Sequence, residues 1–137
     1  MGSEVAGELA IKAAHDIVIA RRTIREAAGQ IGFGETDVTR IVTASSEMAR
    51  NVYKYAGGGV VRWRSLLVDG RRGIELHFID QGPGIPDIQL AMRNGYSTSR
   101  GLGMGLPGAK RLMDDLQIDS TVGKGTSITL KKWLKGS

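Results

Sequence analysis

Two consecutive stretches of this chain carry apolar residues at helical spacing. In the first, Ile17, Ala20, Ile24, Ala27, Ala28 and Ile31 fall on one stripe. Asp16 stands ahead of them as an N-cap, and Gly32-Phe33-Gly34 ends the run. The second stretch extends from about Thr36 to Ala56. Its stripe is Val38, Ile41, Val42, Ser45, Met48, Ala49, Val52 and Tyr53, and Gly57-Gly58-Gly59 stops it. The pattern then becomes strand-like over Val60 to Val68, with a turn at Asp69-Gly70. From Ile74 to Asp80 it alternates, with Ile74, Leu76 and Phe78 on one face. Gly82-Pro83-Gly84-Ile85-Pro86 reads as a rigid turn, followed by a short helix from Asp87 to Arg93. A glycine-rich segment leads into a further helix that ends near Asp115. Gln117 to Val122 and Thr126 to Leu134 close the chain as a hairpin across Gly123-Lys124-Gly125, and residues 5–12 fit a short edge strand. This order predicts an α+β fold: a two-layer sandwich of one mostly antiparallel mixed sheet with helices on one face.

The glycine-rich segment, residues 95–108, reads GYSTSRGLGMGLPG. Glycines let a backbone approach a ligand closely, and a helix opening beside them adds the positive end of a dipole. Pro107 suits a first helical turn. The physical reading is a lid that closes over an anionic ligand, most plausibly phosphate; the alternative is a flexible loop with a helix start. Gly103-x-Gly105-x-x-Gly108 formally satisfies the dinucleotide fingerprint. It lacks both the preceding strand and the acidic residue about 20 positions later that a Rossmann site needs. No Walker A run is present.

Composition narrows the choice of partner. At 137 residues the chain predicts a single domain spanning 1–137. It has no cysteine, which removes disulfides, thiol chemistry and cysteine-zinc sites. No apolar run is long enough to span a bilayer and the N-terminus has no signal-peptide pattern, so a cytoplasmic location is expected. The net charge is +5, but the cations are scattered in short pairs such as Arg21-Arg22, Arg71-Arg72 and Lys131-Lys132. Such pairs read as solvated faces. With aromatics at 5%, this argues against a nucleic-acid partner.

Three features converge with the lid. Glu47 and Asn51 are four apart on the second helix, at the flank of its stripe. There they read either as a surface pair or as a carboxylate base beside a neutral oxygen suited to Mg²⁺. Asp80 shares the parity of Leu76 and Phe78, so its carboxylate points to the apolar face and needs a partner. It reads either as a turn cap or as a pocket-floor acceptor for the amino group of adenine. Thr126 shares the inward parity of Ile128 and Leu130.

Together these residues resemble the GHKL (Bergerat-fold) ATPases. Glu47-x-x-x-Asn51 looks like the N box of that family, Asp80-x-Gly82-x-Gly84 like its first glycine box, and Gly101-Leu102-Gly103-Met104-Gly105-Leu106 like its second. Thr126 sits where the family keeps a threonine after a glycine turn. The order and spacing fit over almost the whole chain. Within the family, Ser46-Glu47-Met48-Ala49-Arg50-Asn51, the run Asp80 to Asp87 and the run Leu106 to Asp114 look most like the RsbT-type switch kinases. No separate histidine-bearing dimerisation segment accompanies them, unlike full sensor histidine kinases.

The resemblance implies an ATP- and Mg²⁺-dependent protein serine/threonine kinase. Asp80, helped by Thr126, would hold adenine, and Gly82 and Gly84 would line the base and sugar pocket. Ser97, Thr98, Arg100, Gly101, Leu102, Gly103, Met104, Gly105 and Leu106 would surround the nucleotide phosphates, Arg100 falling where relatives vary. Asn51 would bind Mg²⁺, and Glu47 would be the catalytic residue that orients or deprotonates the substrate hydroxyl. The implied partners are STAS-domain scaffold and antagonist proteins of the stressosome, followed by a PP2C-type phosphatase. Two other readings stay open: an anti-sigma kinase that sequesters a sigma factor, and a non-enzymatic, nucleotide-gated binding module.

Overall fold

The computed structural model describes residues 4–85, 92 and 105–135. In chain order the elements are β1 (Ala6–Ile11), α1 (Ala14–Ile31), α2 (Glu35–Ala56), β2 (Gly59–Val68) and β3 (Arg71–Asp80). After them come α3 (Gly105–Leu112), β4 (Asp115–Thr121) and β5 (Gly125–Trp133). The helix expected over 87–93 and most of the glycine-rich lid fall outside the described residues.

Asp69 and Gly70 both take positive φ, 54° and 79°. That two-residue geometry follows the right-handed twist of a hairpin. It starts β3 at Arg71, three residues before the alternation becomes readable at Ile74, and pairs it with β2 from Val68↔Arg71 to Gly59↔Asp80. The sheet order is β1-β2-β3-β5-β4. All four pairings are antiparallel, so the sheet expected to be mostly antiparallel is wholly so among the described residues. β1 is an edge strand, as its mixed pattern suggests.

One face of the sheet carries Leu9, Val61, Leu76, Phe78, Ile128 and Leu130, which form the core with the stripes of α1 and α2. The other face carries Glu8, Arg62, Arg64 and Glu75, paired as Glu8–Arg62 and Glu75–Arg64, each at 2.8 Å. Helices on one face and a polar face opposite give the expected two layers. Two inward positions at one end of the strands are polar instead of apolar: Asp80 at the end of β3 and Thr126 at the start of β5, directly paired across the sheet.

The start of α1 differs from expectation. Ala13, not Asp16, is the N-cap, and Asp16 sits three residues later. Its carboxylate reaches back to the backbone N–H groups of Lys12 at 2.9 Å and Ala13 at 3.0 Å. A third-position acid can do this because the side chain is long enough to return to the cap. Those bonds, Lys12 first and Ala13 second, hold the Asp16 pKa below the ordinary value of 3.8. A depressed folded pKa gives stability that is present above the unfolded value and lost as pH falls through the folded one. Asp16→Asn should therefore lower Tm at pH 7, with the gap to wild type closing as pH falls well below 3.8, through the depressed folded value. Thermal melts at pH 7 and in acid check this, and an equal gap at both would remove the charge from the explanation.

Candidate nucleotide site

A cavity opens where α2 crosses the polar end of the sheet. It holds about 530 Å³ of empty space, counted out to solvent. Met48, Val52, Phe78, Leu106 and Ile128 supply apolar walls, while Asn51, Tyr55, Asp80 and Thr126 supply the polar groups. A mostly apolar pocket with a few convergent polar groups suits a planar organic ligand that also carries hydrogen-bonding edges.

Each polar group has a structural reason for its place. Asn51 is one helical turn after Glu47 on α2, at the flank of the buried stripe Met48, Ala49 and Val52. Asp80 Oδ1 accepts the Gly82 N–H at 2.9 Å. Its other oxygen has no hydrogen-bond partner among the described residues. The turn-cap and pocket-floor readings of Asp80 are thus compatible, because a carboxylate has two oxygens and only one is taken by the turn. Thr126 is buried and its Oγ1 shares a 2.9 Å hydrogen bond with Ser120 Oγ. Ser120 also accepts the Ile85 N–H at 2.8 Å, tying the turn after β3 to β4. The sequence reading passed over Ser120, although its alternation with Leu116 and Ile118 places it on the inward face.

Tyr55 was missed as well. Its hydroxyl is buried and unpaired among the described residues, and it lines the cavity. A buried hydroxyl without a partner is costly, and it is unusual in a folded protein unless a ligand or water completes it. The signal was available: Tyr55 is four residues after Asn51, on the same flank of α2.

The glycines act through close packing. A Cβ on Gly82 would meet Ala56 Cβ at 2.6 Å, and one on Gly84, where φ is +82°, would meet the Thr121 carbonyl oxygen at 2.6 Å. Gly84 lines the cavity; Gly82 is placed behind it, against the end of α2. Gly105 begins α3, two residues before Pro107, and a Cβ there would overlap Asn51 Nδ2. Gly105 and Leu106 are both buried, so the N-terminus of α3 abuts the Asn51 wall. Ser97, Thr98, Arg100, Gly101, Leu102, Gly103 and Met104 lie outside the described residues.

Glu47 is not in the cavity lining. It lies one turn before Asn51 with its side chain 27% exposed, and its Oε2 accepts Arg50 Nη1 at 2.7 Å. The sequence reading gave Arg50 no role. Among the described residues no cluster of three or more His, Asp or Glu side chains could hold a metal by itself. No described helix is long and apolar enough to cross a membrane.

Residues 11–132 match the histidine kinase-like ATPase domain. The serine/threonine-protein kinase RsbT of Bacillus subtilis is 51% identical over 120 residues, covering 88% of this chain and 90% of RsbT. An anti-sigma F factor of Caldanaerobacter subterraneus is 31% identical over 121 residues, covering 84% of this chain and 83% of that protein. Among solved structures, the RsbU and RsbW domains of a Mycobacterium tuberculosis protein superimpose with a TM-score of 0.62 at 24% identity. That match covers 92% of this chain and 32% of the longer one, and it bears on the fold alone. The chain therefore belongs to the histidine kinase-like ATPase domain family.

Proposed function

We infer that this chain is an ATP-dependent protein serine/threonine kinase of stress signalling, acting as one domain in the cytoplasm. The observation that carries the reading is the convergence of Asn51, Asp80, Thr126 and the unpaired Tyr55 hydroxyl on one apolar-walled cavity. The polar groups suit a purine base: a carboxylate oxygen for an exocyclic amine and two hydroxyls, set among apolar walls. Asp80 and Thr126 hold the base, with Gly84 at its edge and Gly82 keeping the turn tight behind it. The N-terminus of α3, from Gly105 and Leu106, presents its dipole to phosphate. Residues 97, 98 and 100–104, which lie outside the described residues, are assigned to the phosphates by the resemblance alone.

Asn51 offers one neutral oxygen to Mg²⁺. A hard cation of this kind takes its remaining ligands from water and substrate phosphates, so no carboxylate cluster is required. When bound, Mg²⁺ neutralises phosphate charge. Glu47 accepts the proton of the substrate hydroxyl, and Arg50 holds one of its two carboxylate oxygens, leaving the other for that proton. Phosphoryl transfer needs mainly positioning and charge neutralisation, which these groups supply.

The substrate is a serine or threonine on a STAS-domain scaffold or antagonist of a stressosome. A PP2C-type phosphatase is the partner activated afterwards. The 51% identity to RsbT against 31% to the anti-sigma F factors supports this over sigma-factor sequestration. The test is transfer of labelled phosphate from Mg-ATP to a purified STAS-domain protein, alongside a pull-down with sigma factor. Sigma-factor capture without transfer would sink the switch-kinase reading. ATP binding without transfer to any such protein would leave a nucleotide-gated module.

Tyr55→Phe gives a finer check on the pocket. A hydroxyl satisfied only by ligand contributes to affinity and not to folding. Its removal should weaken ATP binding by about 0.5–1.5 kcal/mol, the net worth of one hydrogen bond, and leave Tm unchanged or raised. Calorimetry and a thermal melt read both quantities. Unchanged affinity would place the hydroxyl outside the ligand's reach.

A further inference from the structure

Lys132 belongs to a lysine pair that reads from sequence as a solvated face, yet it is only 4% exposed. Burying an ammonium is costly unless it finds partners. Its Nζ donates to the carbonyl oxygen of Leu112 at 2.9 Å, at the last residue of α3. Carboxylate oxygens of Asp114 and Asp37 stand 3.7 and 4.0 Å away. Asp37 lies in the first turn of α2 and is also bonded by Arg40 at 2.9 Å. Asp114 also accepts the Trp133 N–H at 2.8 Å, which binds it to β5. A cation at a helix C-terminus and an anion at a helix N-terminus both follow the helix dipole. One ammonium serves the two helices together, from the strand that also carries Thr126.

The opposite end of α3 is the site end, where Gly105 packs directly on Asn51. An eight-residue helix has little stability of its own, so its placement depends on the packing of its buried first half and on what holds its exposed C-terminal end. We propose that Lys132 is a positioning residue for the nucleotide site. It pins the C-terminal end of α3 to the start of α2, and so holds Gly105 and Leu106 against the Asn51 wall at the other end. Lys132 itself touches neither cavity nor ligand. This rests on the kinase reading only where nucleotide affinity is the readout.

The test uses the full chain, Lys132→Met, and the double variant Lys132→Met/Asp37→Asn, which also removes the carboxylate that Lys132 shares with Arg40. Hydrogen exchange without nucleotide should speed up across 106–113 in both variants and stay unchanged in the β2–β3 hairpin. ATP affinity should fall about tenfold in both, the scale on which residues that touch no ligand modulate a distant site. Tm should fall in the single variant and recover in part in the double one, because Asp37 loses one of its two cations in the first. Unchanged exchange in α3 would overturn the proposal. So would a double variant that recovers affinity along with Tm, since the lysine would then act on stability alone. Failure of both variants to fold would also overturn it, by assigning Lys132 to the core as a whole. If wild-type protein fails to bind ATP, the kinase reading falls, and exchange in α3 still decides the role of Lys132.

Discussion

Asp80→Asn should lose most of its affinity for ATP and keep its fold. The two effects separate because the two carboxylate oxygens have different neighbours. Oδ1 accepts the Gly82 N–H at 2.9 Å, and an asparagine oxygen can accept the same bond. The turn after β3 should survive, with Tm close to wild type. The other oxygen is the one proposed to face the base. An amide placed there presents an N–H₂ donor toward the amino group it should accept from. The lost charge-assisted bond is worth roughly 1.5–3 kcal/mol, about a ten- to hundredfold loss in affinity. Isothermal calorimetry with ATP and ADP, paired with a thermal melt, reads both quantities. Wild-type affinity in Asp80→Asn would remove Asp80 from the base pocket and leave it as a turn cap only.

The helices and most strands were legible because burial in this fold is one-sided. A helix or strand with one covered face must carry its apolar residues at period 3.6 or 2, and α1, α2 and β3 do. Boundaries were less legible where backbone geometry, not burial, sets them. β3 begins at Arg71 because a two-residue turn pairs it immediately with β2, and neither Arg71 nor Arg72 carries an apolar signal. Asp16 reads as the cap itself although it stands three residues inside the helix, since an acid in the first turn can serve the cap from there.

Sheet order was beyond the chain pattern. β5 inserts between β3 and β4, a long-range pairing that local alternation does not encode. It brings Thr126 directly opposite Asp80. The pair therefore shares a cavity although the two residues are 46 positions apart in sequence. Residues whose role depends on partners far along the chain were read least well. Lys132 looked like half of a surface pair, and only the convergence of α2, α3 and β5 buries it. Ser120 carries no signal of its own beyond its inward parity, and only the turn at Ile85 makes it a junction. The lid, the first feature to suggest phosphate, lies largely outside the described residues, so support for the phosphate end comes from Gly105, Leu106 and the start of α3.

Glu47 and Asn51 share a flank of α2 but should fail in different ways. Asn51 lines the cavity and is packed against Gly105. Asn51→Ala removes the proposed Mg²⁺ ligand and opens space beneath the start of α3. It should weaken metal-dependent nucleotide binding and abolish transfer. Glu47 stands outside the cavity lining, partly exposed and paired with Arg50. Glu47→Gln keeps the size of the side chain and an oxygen for Arg50, but loses the basic carboxylate. ATP affinity should stay at the wild-type level while transfer falls by roughly 10²–10⁴-fold, the usual span for a lost general base. A loss smaller than that would suit an orienting role, because a loose phosphoryl transition state needs little early proton abstraction. The measurements are nucleotide affinity with and without Mg²⁺ and single-turnover transfer to a STAS-domain substrate, on both variants. Transfer at the wild-type rate by Glu47→Gln would make Glu47 and Arg50 a helix-surface ion pair and nothing more, since such exposed pairs contribute little to stability and need no catalytic reason to exist.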